Sequence, residues 1–294
     1  MGFFGKIIAF FTSLIISLCV NLDIPCYPMG QKVDMEKFTE TFVEDFEGEL
    51  NTKVWSGHYQ YGNTTVDRKG SYWNKNLVKT EDGNLIIPVV YLEEGMGGKG
   101  AGWYTAGIDT DSDSPDGFSQ KFGYFECRCI LPKGADIWSA FWLMNDGVYE
   151  VGNDGRDGTE IDIFESDCYG DFLENSVTSN LHFDGYGDYH QKHGATKFRL
   201  KNNPYEEFNT YGLEWNENEY IFYINGIETA RTSTGGVSKN PEYILLSCEF
   251  AGENGVQFSD RHGTGEISKT PDENWPAEFK VDYVKCYQYK DKLK

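Results

Sequence analysis

The chain has 294 residues, with 26 Lys and Arg against 47 Asp and Glu, a net charge of −21 and 16% aromatic residues. That length holds one large domain or two small ones. The acidic excess argues against nucleic acid or an anionic membrane surface as partner, because phosphate binding needs clustered Lys and Arg, and 20 Phe, 19 Tyr and 7 Trp exclude a disordered chain.

In chain order, residues 1–20 place one Lys6 before an apolar run from Ile7 to Val20. The run has the length of a signal-peptide core, and an uncleaved N-terminal anchor is the alternative. Residues 21–38 read as a short leader, and 39–290 as a single domain without linker, repeat or low-complexity block. Strand signals dominate it. Residues 84–90 follow the turn signal Asp82-Gly83, and 122–131 alternate with Phe125, Cys127 and Cys129 on one face and Tyr124, Glu126 and Arg128 on the other. Residues 220–224 run through Asn225-Gly226 into 227–231, a hairpin with a type I′ turn. Residues 241–247 and 278–284 are further strands. Many strands with Gly-rich turns and no helical periodicity after the first segment point to an all-β sandwich or barrel. The seven scattered cysteines read as buried thiols rather than a disulfide framework or a zinc site.

The densest chemistry is Glu160-Ile161-Asp162-Ile163-Phe164-Glu165. Acids interleaved with Ile and Phe belong to a strand, not to a solvated acidic run. In a regular strand Glu160 and Asp162 face one way and Glu165 the other. For all three to share a face, a β-bulge between Ile163 and Glu165 must absorb one residue. Three close carboxyls cannot all ionise freely, so at least one pKa must rise; a protonated acid beside an ionised carboxylate is what glycosidic cleavage requires.

This segment resembles the bulged Glu-x-Asp-x-x-Glu signature of the family 16 glycoside hydrolases. Residues 42–48, 122–133, 137–144 and 279–287 resemble further segments of that family, in the same order. The resemblance implies a β-jelly roll sandwich of two curved antiparallel sheets with a concave substrate cleft. It implies a retaining double displacement with Glu160 as nucleophile, Glu165 as acid and base, and Asp162 as helper. Trp138 and Trp142 are expected to stack on sugars, Glu126 and Arg128 to bind sugar hydroxyls from the face opposite the cysteines, and His182 to aid Glu165 or the leaving sugar. The loop Gly185–His190 is a candidate cleft wall, and Tyr72, Trp73 and Asn76 are weaker sugar contacts. The family implies no catalytic cofactor, but a structural calcium ion at Asp45, a carbonyl near Gly83, and Asp282.

The expected protein is a secreted or cell-surface, monomeric endo-β-glycanase acting on a neutral polysaccharide, foremost β-1,3-glucan. The alternatives are a mixed-linkage β-glucanase, a β-galactanase, or a non-catalytic lectin-like protein. Sulfated galactans are disfavoured, since a chain of charge −21 shows no obvious basic groove.

Overall fold

The computed structural model describes residues 3–22, 26–57, 65–111, 115–134, 137–166, 175–250, 252–253, 256–257 and 277–293. One helix, α1 (Phe3–Asn21), opens the chain. Among the described residues, no helix is long and apolar enough to cross a membrane. The strands, in order, are β1 (Phe38–Glu44), β2 (Val66–Arg68), β3 (Ser71–Trp73), β4 (Lys79–Glu81), β5 (Asn84–Leu92), β6 (Gly102–Thr105) and β7 (Gly107–Asp109). They continue with β8 (Ser119–Gln120), β9 (Gly123–Ile130), β10 (Ile137–Met144), β11 (Glu160–Ser166), β12 (Ser176–Phe183), β13 (Gln191–Arg199) and β14 (Asn209–Trp215). The last are β15 (Tyr220–Ile224), β16 (Ile227–Thr232), β17 (Glu242–Phe250), the short pair β18 (Gly252–Glu253) and β19 (Val256–Gln257), and β20 (Ala277–Tyr289).

Two large sheets form the body. A 7-stranded sheet runs β13-β12-β11-β10-β17-β7 with β8 beside β17, and an 11-stranded sheet runs β16-β15-β14-β9-β20-β5-β6-β3-β2 with β1 beside β20 and β4 beside β5. Among the described strands only β3 and β6 pair in parallel, so the architecture is the all-β sandwich that the turn-punctuated sequence predicts.

The core lies between the sheets. From the larger sheet come Phe125, Cys127, Cys129, Leu213 and Val281, and from the smaller Phe141, Leu143, Ile161 and Phe164, all buried. Period-2 alternation sends the odd-numbered residues of β9 inward as expected, and Glu126, Arg128 and Ile130 are the partly exposed members of that strand. Among the described residues six cysteines are free thiols; Cys168 lies outside the described residues. The β15–β16 hairpin turns on Asn225 and Gly226 at φ 50° and 70°, the pair of positive values that a type I′ turn needs. Part of the stretch read as a leader is tied down: Gly30 N–H donates to Glu228 O (2.9 Å) and Val33 N–H to Gly226 O (2.9 Å), while Cys26 bridges to Phe198.

Candidate active site

The middle of the smaller sheet carries the carboxylates. In β11 the register against β12 runs Glu160↔His182 and Asp162↔Asn180, then shifts so that Glu165 stands opposite Thr178. Against β10 it runs Trp142↔Asp162 and Ala140↔Glu165, with a shift between Phe141 and Trp142. Ile163 and Phe164 therefore both turn to the core, where each is buried, and Glu165 returns to the face of Glu160 and Asp162. This is the bulge that the parity argument demands. Phe164 anchors it against Tyr211, with ring centroids 4.2 Å apart.

Glu160, Asp162, Glu165, Trp138, Trp142 and His182 all line one cleft of about 480 Å³. Its floor is crowded with charge. Burial pushes the Asp162 carboxyl well above the usual range, and the neighbouring Glu165 and Glu160 push it further. Burial also raises Glu160, against the hydrogen bond that it accepts from the Tyr186 hydroxyl. Glu165 accepts from the side-chain amide of Asn180. Asp162 is only 3% exposed, and its Oδ2 has no hydrogen-bond partner among the described residues.

His182 sits elsewhere than expected. Its Nε2 lies 3.4 Å from Asp162 Oδ2 and 4.0 Å from Glu160 Oε1, so it serves the Glu160 side of the cleft and not Glu165. The cause is register, since His182 stands directly opposite Glu160. Its Nδ1 is 2.8 Å from His190 Nε2, with the two rings stacked 5.0 Å apart. Burial, then Lys192 and His190, lower its pKa from 6.5 to about 3, so it is neutral at ordinary pH.

Glu126 and Arg128 are not in the cleft. Their strand β9 belongs to the larger sheet, between β14 and β20, so the face opposite the core is the outside of the molecule. There Glu126 accepts from Tyr124 (2.8 Å) and Tyr283 (2.7 Å), and Arg128 pairs with Asp282. Gly212 makes room for this network, because a Cβ there would lie 2.3 Å from the Tyr124 hydroxyl. The Arg128 contact bears on the expected calcium ion too. Pairing of β20 with β1 (Glu44↔Val284) and with β5 (Val281↔Leu85) carries Asp45, Gly83 and Asp282 toward one region. Asp282, however, already holds a guanidinium, and Asp45 Oδ1 accepts the Glu47 N–H (3.3 Å). As arranged, these three residues do not fit a calcium ion, which needs six or more oxygen ligands.

The cleft also holds residues that the sequence reading missed. Arg68 and Lys69 reach it from the β2–β3 hairpin, and Lys192, Ser247 and Glu249 line it as well. Arg68 Nε pairs with Glu249 Oε1 at 2.8 Å above the Trp73 ring, and Lys69 Nζ lies 5.3 Å from the Trp138 ring centre. Trp73 is therefore a buried support for Arg68, its indole N–H donating to Cys248 O at 2.7 Å; Tyr72 packs on Tyr104. Tyr186 and His190 belong to the loop singled out as a cleft wall. The local signal for them was the Gly-Tyr-Gly-Asp-Tyr-His composition. Arg68 and Lys69 had no local signal, because their contacts are set 181 residues away along the chain.

Residues 37–289 match the family description "Beta-porphyranase A-D, GH16 domain". Endo-1,3-1,4-beta-glycanase EglC of Rhizobium meliloti (strain 1021) is 27% identical over 87% of this chain and 53% of its own length. Beta-porphyranase B of Zobellia galactanivorans is 27% identical over 92% of this chain and 94% of its own. The chain spans little more than half the length of the first curated relatives that it matches. Among solved structures, the catalytic domain of an endo-1,3-beta-glucanase (laminarinase) from Thermotoga petrophila RKU-1 superposes with a TM-score of 0.64 at 22% identity, covering 86% of this chain and 98% of that one.

Proposed function

The chain belongs to glycoside hydrolase family 16, and from that premise we propose that it hydrolyses internal β-glycosidic bonds of a polysaccharide by retaining double displacement. The observation that carries this reading is the bulge that gathers Glu160, Asp162 and Glu165 on one cleft floor. A Glu160 carboxylate oxygen attacks the anomeric carbon, while Glu165 transfers its proton to the leaving glycosidic oxygen. A glycosyl ester on Glu160 results. Glu165 then takes a proton from water, whose oxygen attacks the same carbon and releases Glu160. Asp162, whose carboxyl is pushed upward by burial and by its two acidic neighbours, is the helper that holds Glu160 and tunes the charge on the cleft floor. Tyr186 holds Glu160 by its hydroxyl, and Trp138 and Trp142 offer ring faces to the sugars.

For the sugar, β-1,3-glucan or mixed-linkage glucan is the reading that the glucan-named relatives support. A specific observation favours a second one. Arg68, Lys69 and Lys192 line the cleft beside its acids, a local set of cations that the whole-chain charge conceals. Such cations select a β-galactan carrying anionic substituents such as sulfate esters, and the porphyranase-type family match supports this.

The test is a panel of laminarin, mixed-linkage glucan, neutral β-galactan and porphyran, with product linkage determined. Hydrolysis confined to the sulfated member, and weakened by Lys192→Ala, selects the second reading, whereas glucan cleavage selects the first. For the mechanism, Glu165→Ala should lose turnover and regain it with azide as a β-glycosyl azide. Recovery of an α-azide would overturn retention.

A further inference from the structure

We propose that Glu160, Asp162 and His182 together bind one zinc-class divalent cation, and that the bound ion blocks the cleft. One ligand atom from each of the three residues lies within 4.8 Å of the others. A tetrahedral zinc site with bonds of about 2.1 Å has ligand–ligand edges of about 3.4 Å. The distance from His182 Nε2 to Asp162 Oδ2 is already 3.4 Å, and Glu160 Oε1, at 4.0 Å from the same nitrogen, needs only a small side-chain adjustment.

An independent observation points to a ligand in this place. Asp162 is buried, yet its Oδ2 lacks any hydrogen-bond partner among the described residues and faces the imidazole nitrogen. A buried carboxylate oxygen without a partner is costly, and a cation on it removes the cost. The surrounding hydrogen bonds complete the arrangement. Tyr186 occupies Glu160 Oε2 and leaves Oε1 toward the ion. His190 lies 2.8 Å from His182 Nδ1; in the tautomer whose Nδ1–H donates to His190, the Nε2 lone pair points at the two carboxylates. A second hydrogen bond of this kind is the usual means of orienting a histidine ligand. Two carboxylates and one imidazole suit zinc and leave a fourth position for water, whereas calcium would want six to eight oxygens. Lys69 and Lys192 oppose the ion, and Glu165 and Glu249 favour it, all four lining the same cleft.

The inhibitory consequence rests on the hydrolytic reading above, because the ion would occupy the nucleophile. The binding itself does not rest on it. The test therefore begins without substrate: calorimetric titration of the chelator-stripped, full-length chain with zinc chloride at pH 7. One ion per chain is expected, with affinity lowered at least about tenfold by Glu160→Gln or Asp162→Asn and roughly 10- to 100-fold by His190→Ala. His193→Ala, at a histidine bonded instead to Thr232, should leave it unchanged. Calcium chloride should not compete. Thermal unfolding in the presence of zinc gives a second readout, a rise in Tm in the wild type that Glu160→Gln, a nearly isosteric change, abolishes. No binding at millimolar zinc, or equal affinity in wild type and Glu160→Gln, overturns the site. Zinc that binds but leaves hydrolysis untouched overturns the blockade alone, and a chain that hydrolyses nothing still allows the titration to decide the site.

Discussion

The two sheets of this protein both bear acids on the face away from the core, and they treat them in opposite ways. On the larger sheet Glu126 receives two tyrosine hydroxyls, Glu214 receives those of Tyr223 (3.0 Å) and Tyr289 (2.9 Å), and Asp282 receives Arg128. Each acid there has partners of its own. On the smaller sheet three acids crowd one another: among the described residues Asp162 keeps an oxygen without a hydrogen-bond partner, and burial with like charge drives its pKa upward. The difference is one between acids used as structural acceptors and acids held in a state that stability alone would not choose. Crowding of the acids against one another, more than their number, is what separates the two patches.

The sharpest way to break that comparison is Glu160→Gln. Turnover should fall roughly a thousandfold or more while the fold survives, as read from a reducing-sugar assay beside thermal unfolding. A variant that keeps full activity would return Glu160 to the structural class. Tyr186→Phe removes the hydroxyl on Glu160 and should lower kcat/KM by roughly tenfold, the worth of one hydrogen bond to a charged group.

A third prediction concerns Glu242, which starts the strand flanking β10 and accepts the Thr159 N–H next to Glu160. Burial pushes its carboxyl from 4.5 up to about 8. A raised carboxyl pKa means that the folded state prefers the proton. Its contribution is thus fully present below pH 4.5 and declines as pH rises toward about 8, beyond which the loss is complete. Glu242→Gln, neutral throughout, should flatten the fall of Tm between pH 5 and 8. An unchanged pH slope would show that Glu242 does not titrate there. The smallest effect is expected at Arg128→Ala: stability lower by under about 1 kcal/mol, because the pair is half-exposed, and kinetics within the error of the assay. A large loss of activity would restore Arg128 to the cleft.

What could be read in advance follows the range of the interactions. The carboxylate-bearing strand is legible because its signal is local: acids alternating with Ile and Phe, and a parity mismatch at Glu165 that only a bulge resolves. The β15–β16 hairpin was legible for the same reason, Asn-Gly being a two-residue signal. For β9 the alternation correctly separated Cys127 and Cys129 from Glu126 and Arg128. Alternation says which residues share a face, but not which sheet a strand joins, so by itself it does not tell the outer face from the cleft. Alternation puts His182 on the cleft face, but it stands opposite Glu160 and not Glu165, because register across strands is not written in either strand alone. The cations Arg68 and Lys69 were invisible for a further reason. Lys69 is carried to Phe250 by an isolated bridge and Arg68 to Glu249 by an ion pair, and a net charge of −21 averages away the place where they gather.

The bulge has a meaning for how such a site can change over generations. Glu165 reaches the cleft only because two successive side chains, Ile163 and Phe164, face inward. A coding change of one triplet between Asp162 and Glu165 therefore has one of two results. With the strand otherwise in register, losing a residue gives the straight spacing, in which the acid still points outward and only the packing against Tyr211 must be rebuilt. Gaining a residue has two outcomes: with the bulge kept the acid turns into the core, and with the bulge resolved it points outward again but about two residues further along the strand. Losing a residue thus leaves the acid near its present place, whereas gaining one moves it along the cleft or out of it. Descendants of such a strand would be expected to keep the spacing of their acids more readily by losing the extra residue than by adding another.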